Sequence, residues 1–141
     1  MRIASDALRQ IQALCDKDPR YKTQAYLFVL AGLDATLRTL NRHEAGEPAA
    51  RHVTGQELSR GLRDFAVAEY GPSARMVLEH WGLRSTLDFG HVVYNLISAG
   101  LMGKSETDSL SDFENVFDFH EELERKYRFN LDLLRSGSDA E

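Results

Sequence analysis

The order of the segments in residues 54–119 restricts the possible folds more than any other feature of this chain. Three helical patterns follow one another, and the last of them stops at Gly100. Residues 101–105 then have the character of a strand, a polar tip follows, and a second strand-like run covers residues 113–119. This is the order of a winged-helix unit, so we predict a winged-helix-like unit that ends in a small β-hairpin.

The ends of these three helices carry specific signals. Thr54 and Glu57 have the spacing of a capping box, in which each side chain accepts the backbone N–H of the other residue. Gly82 and Gly100 stand where a glycine commonly ends a helix. The third helix has the clearest apolar stripe, which we expect to be buried: Phe89, Val92, Val93, Leu96 and Ile97.

Two further helical patterns precede this unit. They cover about residues 6–15 and 23–42, and the Asp18-Pro19 pair separates them because proline disfavours helix in the residue before it. The first half of the second pattern is apolar nearly all round, which is typical of a helix packed between several others. Gly32 lowers its helix propensity, so we expect a neighbouring helix to approach closely there.

These patterns predict a mainly α fold with a small β-hairpin. A single compact domain is expected over residues 1–135, in which the helical pair 6–42 packs on the winged-helix-like unit 54–119. Residues 120–134 have helical spacing and predict a last helix. Residues 136–141 are expected to be a disordered tail.

Composition and charge limit the classes of function. The chain has 141 residues, is 43% hydrophobic and carries a formal net charge of −5, which argues against a protein built mainly to hold nucleic acid. Residues 101–141 hold five basic and eleven acidic side chains, a net charge of −6. Cys15 has no second cysteine to pair with, and no leader or membrane-spanning run is visible. The sequence therefore predicts a cytoplasmic protein in which Cys15 is a structural thiol.

No residue pattern points to an enzyme, a cofactor or a metal. The five histidines include no i, i+4 pair, and one cysteine cannot build a cysteine-rich zinc site. The Gly100 to Ser105 stretch ends in Gly-Lys-Ser like a phosphate-binding loop, but its glycines are three residues apart and it follows a helix. We predict no enzymatic activity, and the open alternative is a small enzyme whose site forms only in an oligomer.

The third helix of the unit, the fifth of the chain, holds the position that enters the DNA major groove in helix-turn-helix proteins. Of the side chains expected on its outer side, only Asn95 and His91 suit base reading, and Asp88 has the wrong sign for phosphate. We therefore expect no DNA binding through the fifth helix. The alternative is a nucleic-acid-binding regulator that uses the basic linker region around residues 38–63, although a solvated arginine-rich surface is the simpler interpretation of that cluster.

The aromatic residues give the better indication of function, because Tyr, Trp and Arg anchor protein interfaces. The aliphatic residues already suffice to fill a core of this size, so we expect some aromatic residues to lie in an exposed patch. For Trp81 and for Phe89, each taken alone, a place in the core is the favoured interpretation. The candidate partner-binding residues are Tyr70, Trp81, Tyr94, Phe117 and Phe119, together with Arg75 and Arg84.

Several runs of residues carry a resemblance to other proteins: Arg-His-Val-Thr-Gly-Gln-Glu-Leu at 51–58, Tyr-Gly-Pro-Ser-Ala-Arg at 70–75, Trp-Gly at 81–82 and Asp-Phe-Gly-His-Val-Val-Tyr-Asn-Leu at 88–96. Through them, about residues 5–122 resemble a family of short uncharacterised bacterial proteins that is largely restricted to planctomycetes and verrucomicrobia. The resemblance implies a bacterial cytoplasmic setting. It brings no activity, cofactor or site residue.

Together these observations predict a non-catalytic protein-interaction module that acts as an adaptor or accessory subunit. Its expected partner is another protein or a second copy of the chain, and no membrane contact is expected. A nucleic-acid-binding regulator is the second interpretation, and an oligomeric enzyme is the third.

Overall fold

The computed structural model describes residues 5–42, 52–103 and 109–125. It contains five α-helices: α1 (Ser5–Lys17), α2 (Thr23–Thr39), α3 (Gly55–Tyr70), α4 (Ala74–His80) and α5 (Thr86–Ser98). Shorter turns accompany them: a 3₁₀ turn at Gly71–Ser73, another at Leu110–Phe113 and a π-helical turn at His120–Arg125. The two N-terminal helices and the three later helices therefore lie where the sequence patterns predict them.

The predicted β-hairpin is wrong. Helix accounts for 75% of the described residues, and none of these residues forms a strand. After α5 the chain turns at Gly100, which has a φ of 75°, and the Leu101 N–H donates to Leu96 O at 2.9 Å. This C-terminal cap reverses the chain direction instead of extending it. The predicted polar tip covers residues 103–112; residues 104–108 of it lie outside the described residues, and its end forms part of the 3₁₀ turn at Leu110–Phe113.

The second predicted strand is a series of turns, and the causes are local. The Asp112 carboxylate accepts the Ser109 N–H at 2.8 Å, at the start of the 3₁₀ turn. Asn115 has a φ of 50°, which is incompatible with an extended strand. Asp118 then accepts the Glu121 N–H at 3.0 Å and so begins the π-helical turn. Short polar side chains thus satisfy the backbone within the segment, and no pairing strand is needed.

The last helix predicted over residues 120–134 is described only as far as Arg125, where it is a π-helical turn. Its Leu123 is fully buried, so this turn packs on the rest of the fold. The continuation, residues 126–134, and the predicted tail, residues 136–141, lie outside the described residues.

The close contact between α2 and α3 lies at the centre of the fold. A Cβ atom added to Gly32 would collide with the Leu62 side chain, and one added to Gly61 would collide with Thr36. The two helix backbones therefore approach each other more closely than larger residues would permit. The neighbour predicted from Gly32 is confirmed, and it is α3.

The capping box predicted before α3 is also confirmed. Thr54 Oγ1 accepts the Glu57 N–H at 3.0 Å, and Glu57 Oε1 accepts the Thr54 N–H at 3.1 Å. Arg42 donates to the same Glu57 oxygen at 3.1 Å and so joins the end of α2 to the start of α3. Partial burial raises the pKa of Glu57, but the hydrogen bonds from Thr54 and Arg42 outweigh it and leave that pKa below its usual value.

Polar side chains join α5 to the turn between α1 and α2. The Tyr21 hydroxyl donates to Asp88 Oδ1 at 2.6 Å. The Asn95 amide donates to Asp18 Oδ2 at 3.1 Å and to the Tyr26 hydroxyl at 3.0 Å. Burial, together with the hydrogen bond to Asp88, raises the pKa of Tyr21 well above its usual value. Two side chains expected on the outer side of α5, Asp88 and Asn95, therefore help to hold the fold together.

The apolar stripe predicted for α5 is almost entirely buried. Phe89, Val93 and Leu96 have no exposed surface, whereas Ile97 is partly buried.

α1 packs on α2, and Ile11 and Leu14 are its buried residues. Its Cys15 is partly buried with Sγ 3.5 Å from Thr23 Oγ1.

The close contact between α2 and α3 predicts that a glycine-to-alanine substitution in α3 destabilises the protein. Glycine to alanine in a helix normally stabilises by roughly 1 kcal/mol. We expect Gly61→Ala to lower the free energy of unfolding instead, by about 1–3 kcal/mol, because the new methyl group overlaps Thr36. Urea titration followed by circular dichroism measures the change. The loss should be smaller when Gly61→Ala is made in a Thr36→Ala background, and a stabilised Gly61→Ala single variant would contradict the packing.

Candidate functional site

Seven aromatic rings form one connected cluster through the middle of the fold. Phe28 of α2 lies at its centre, with Phe65, Tyr70, Trp81 and Phe89 at centroid distances of 5.6, 6.4, 6.0 and 6.5 Å. The Phe89 ring in turn lies 5.5 Å from Phe119 and 6.2 Å from Phe117. We call these seven residues the aromatic cluster.

The cluster includes four of the five aromatic residues predicted to bind a partner. Phe119 is only 4% exposed, so the argument that the core has no room for it is wrong. Tyr70, Trp81 and Phe117 are partly buried against the core. Tyr94 is also partly buried and lies further along α5. The cluster therefore reaches the surface at Tyr70 with Trp81, at Phe117 and at Phe65.

Tyr70 and Trp81 meet where α3 and α4 end. Their rings are nearly perpendicular, with centroids 5.6 Å apart. Burial raises the pKa of Tyr70, and the negative charge of Glu69 acts in the same direction. On the outer side of α4, Met76 is 68% exposed.

The two predicted arginines have different surroundings. Arg75 donates to Glu124 Oε2 and to Glu79 Oε2, both at 2.9 Å, and these two hydrogen bonds raise its pKa. Its Nη1 atom also lies 2.9 Å from His120 Nδ1. Arg84 is exposed, and no side chain of the described residues pairs with its guanidinium group. Of the two, Arg84 is the one whose charge is available to a ligand.

An open groove lies beside the start of α5, where the aromatic cluster ends. Its volume is about 450 Å³. We call it the α5 groove, and it is lined by Arg84, Ser85, Thr86, Leu87, Glu114, Asn115, Phe117, Asp118 and Phe119. Three of the seven predicted site residues, Arg84, Phe117 and Phe119, therefore come together here.

One buried hydroxyl group holds the two walls of the α5 groove together. Thr86 is 1% exposed, and its hydroxyl donates to Phe113 O at 2.6 Å. Thr86 Oγ1 in turn accepts the Val116 N–H at 3.2 Å. These bonds fasten the chain around residues 113–116 to the first turn of α5. The wall that carries Glu114 and Asn115 is thereby held beside the first turn of α5, which follows Arg84.

The floor of the α5 groove is aromatic and its rim is charged. Phe117 and Phe119 lie nearly parallel, at an interplanar angle of 16° and a centroid distance of 5.6 Å. The Arg63 guanidinium lies 5.9 Å from the Phe117 centroid and forms an ion pair with Glu122 at 3.2 Å. Glu114 and Asp118 are exposed on the rim. The groove thus brings a partly buried aromatic side chain, Phe117, next to exposed carboxylates.

Sequence reasoning missed Glu114, Asn115 and Asp118. A signal for part of this wall was present, because Asp118 precedes Glu121 by three residues and has the spacing of a cap. No comparable signal indicates that Glu114 and Asn115 face α5, since the contact that places them there is made by Thr86.

A second groove, about 410 Å³ in volume, runs between α2 and α3. Its lining is mostly apolar and includes Ala35, Leu40, Gly61, Phe65 and Ala68. None of the predicted partner-binding residues lines it.

Most of the described arginines in the basic linker region are paired with carboxylates of the chain. Arg38 lies 3.1 Å from Asp34, and Arg42 lies 3.1 Å from Glu57. Arg63 pairs with Asp64 at 3.0 Å as well as with Glu122. Residues 43–51 of this region lie outside the described residues. The pairs reduce the positive charge that the described part of the region presents.

The described residues show neither a metal site nor a membrane-spanning helix. Within residues 5–42, 52–103 and 109–125, no three His, Cys, Asp or Glu side chains are grouped so that they could bind a metal ion. In the same residues, no helix combines the length and apolar character needed to cross a membrane. No protein-family model, no curated protein and no solved structure matches this chain.

The role of Thr86 can be tested with an isosteric change. Thr86→Val removes the hydroxyl and leaves the buried backbone groups of Phe113 and Val116 without this partner. We expect the free energy of unfolding to fall by about 1–3 kcal/mol and hydrogen exchange at the Val116 amide to accelerate. Thr39→Val is the matched control, because the Thr39 hydroxyl bonds only within its own helix and is exposed. Equal effects of the two changes would contradict the proposed fastening.

Proposed function

We propose that this chain is a non-catalytic protein-interaction module, an adaptor or accessory subunit of the bacterial cytoplasm, which takes a segment of a partner protein into the α5 groove. The observation that carries the proposal is the α5 groove itself. In this groove the partly buried ring of Phe117 and the exposed charged groups of Arg84, Glu114 and Asp118 line one space. A buried aromatic floor with a polar, solvated rim is the usual composition of a protein interface.

The chemistry of the groove lining supports binding over catalysis. Thr86 uses its hydroxyl to hold the walls together, and Asp118 accepts the N–H that begins the following turn. These polar groups build the groove. Phe117 and Phe119 are fixed by contact with Phe89, so a ligand meets a preformed surface and loses little free energy in ordering it.

The pairing of the basic region also favours a protein partner over nucleic acid. Phosphate binding draws most of its affinity from unpaired cationic side chains. Arg38, Arg42 and Arg63 are already engaged with carboxylates of the chain. Asn95, the best base-reading residue of α5, donates its amide hydrogens to Asp18 and Tyr26. We therefore propose no DNA contact through α5.

The test is capture of a partner followed by direct binding. The full chain, tagged and expressed in its own cell, is used for co-purification, and the Kd of each captured protein is then measured with purified components. Ser85→Trp fills the α5 groove from its exposed rim, and we expect it to weaken the Kd by at least about tenfold, or roughly 1.4 kcal/mol. Ser98→Trp places the same side chain at the exposed other end of α5 and should leave the Kd unchanged.

Circular dichroism of both variants checks that they are folded. A captured protein that binds wild type and Ser85→Trp equally would contradict the α5 groove as the binding site. A chain that captures no protein that binds it directly would contradict the interaction module itself.

A further inference from the structure

We propose that the α5 groove selects a partner segment that carries a lysine or arginine, with its cationic group between Glu114 and Asp118 and its methylene stem over Phe117. This inference rests on the proposed function, because it names the chemistry of the partner segment that the groove takes.

The first argument is the charge of one wall. Residues 109–125 contain six carboxylates and one arginine. Glu122 and Glu124 are held by Arg63 and Arg75 of neighbouring helices. No cation of the described residues forms an ion pair with Glu114 or Asp118, and both line the groove. Two carboxylates that the fold does not neutralise therefore face the place where a ligand would lie.

The second argument is the shape of the groove. A volume of about 450 Å³ accommodates a long side chain. Lysine and arginine bury their methylene stems on apolar surfaces while the charged group stays in a polar setting. Phe117 and Phe119 supply the apolar floor, and Glu114 and Asp118 supply the polar rim beside it. The Arg63 guanidinium, which pairs with Glu122, lies 5.9 Å from the Phe117 centroid in the geometry of a cation–π contact.

The third argument is that an acidic or a purely apolar partner segment would bind less favourably. An acidic segment would bring like charges beside two carboxylates, which is unfavourable. A purely apolar segment would cover these carboxylates without replacing the water that solvates them. Arg84 stands on the opposite wall, so it repels a cationic ligand while Glu114 and Asp118 attract it. Neutralising the two walls should therefore change the affinity in opposite directions.

The experiment is a chemical-shift titration of the ¹⁵N-labelled full chain. The probes are N-acetyl-arginine methylamide and, as matched controls, the glutamate and leucine methylamides. We expect the arginine probe to shift the amide resonances of Ser85, Glu114, Asn115 and Asp118 saturably, and to do so less at higher salt. The leucine and glutamate probes should shift them less at the same concentration.

Charge-neutral variants sharpen the test. Glu114→Gln and Asp118→Asn keep the shape of each side chain, and the side-chain amide oxygen that Asp118→Asn introduces can still accept the Glu121 N–H. Each variant should weaken the binding of the arginine probe by about two- to fivefold. Arg84→Gln should strengthen it by a similar factor.

Equal shifts with the arginine and leucine probes, or no shift at these amides with any probe, would overturn the cation assignment. So would an affinity that none of the three neutral variants changes. If the assignment fails while Ser85→Trp still blocks a captured partner, the interaction module stands and its ligand has a different chemistry. If the arginine probe binds but Ser85→Trp leaves partner binding intact, the proposed function fails instead.

Discussion

The ring of Phe28 is the contact on which the other helices of this fold depend. It lies in α2, and the rings around it come from α3, from the end of α4 and from α5. This arrangement requires α3 to lie close to α2, which Gly32 and Gly61 permit. Ring-on-ring contacts add directional preference to the burial of apolar surface. The cluster thereby joins α2, α3, the end of α4 and α5 in one set of contacts, to which the hydrogen bonds of Asp88 and Asn95 add.

The α5 groove follows from the same packing. Phe89 connects Phe28 to Phe117 and Phe119, so the floor of the groove is an extension of the core. The walls differ in origin, because one is the first turn of α5 and the other is a chain segment that Thr86 and the buried Phe113 ring hold against α5. The floor of such a binding surface is rigid because it belongs to the core. The charged side chains of the rim are exposed and can adjust their conformation to the partner.

Local signals in the sequence predict the helices well. The cap at Thr54, the glycine at 82 and the glycine at 100 act within one turn of the backbone, so their effect does not depend on the rest of the fold. The hairpin could not be predicted correctly because the spacing of Phe113, Phe117 and Phe119 resembles a strand, although each ring packs on α5. The groove could not be predicted from the sequence, because Thr86 and Phe113 are 27 residues apart and no local pattern indicates their hydrogen bond. The partial burial of the predicted aromatic residues could not be predicted for a similar reason. It results from contacts among the seven rings of the aromatic cluster, which come from separate parts of the sequence.

Trp81 is the only tryptophan of the chain, and its position gives the protein an intrinsic optical reporter. The indole lies 6.0 Å from Phe28 and 5.6 Å from Tyr70, and the Trp81 carbonyl accepts the Lys22 N–H at 3.1 Å. Its emission is therefore sensitive to the junction of α2, α3 and α4. The α5 groove is connected to this junction through Phe117, Phe89 and Phe28. A ligand that shifts the groove floor would change tryptophan fluorescence without any label, whereas one that touches only the rim would leave the emission unchanged.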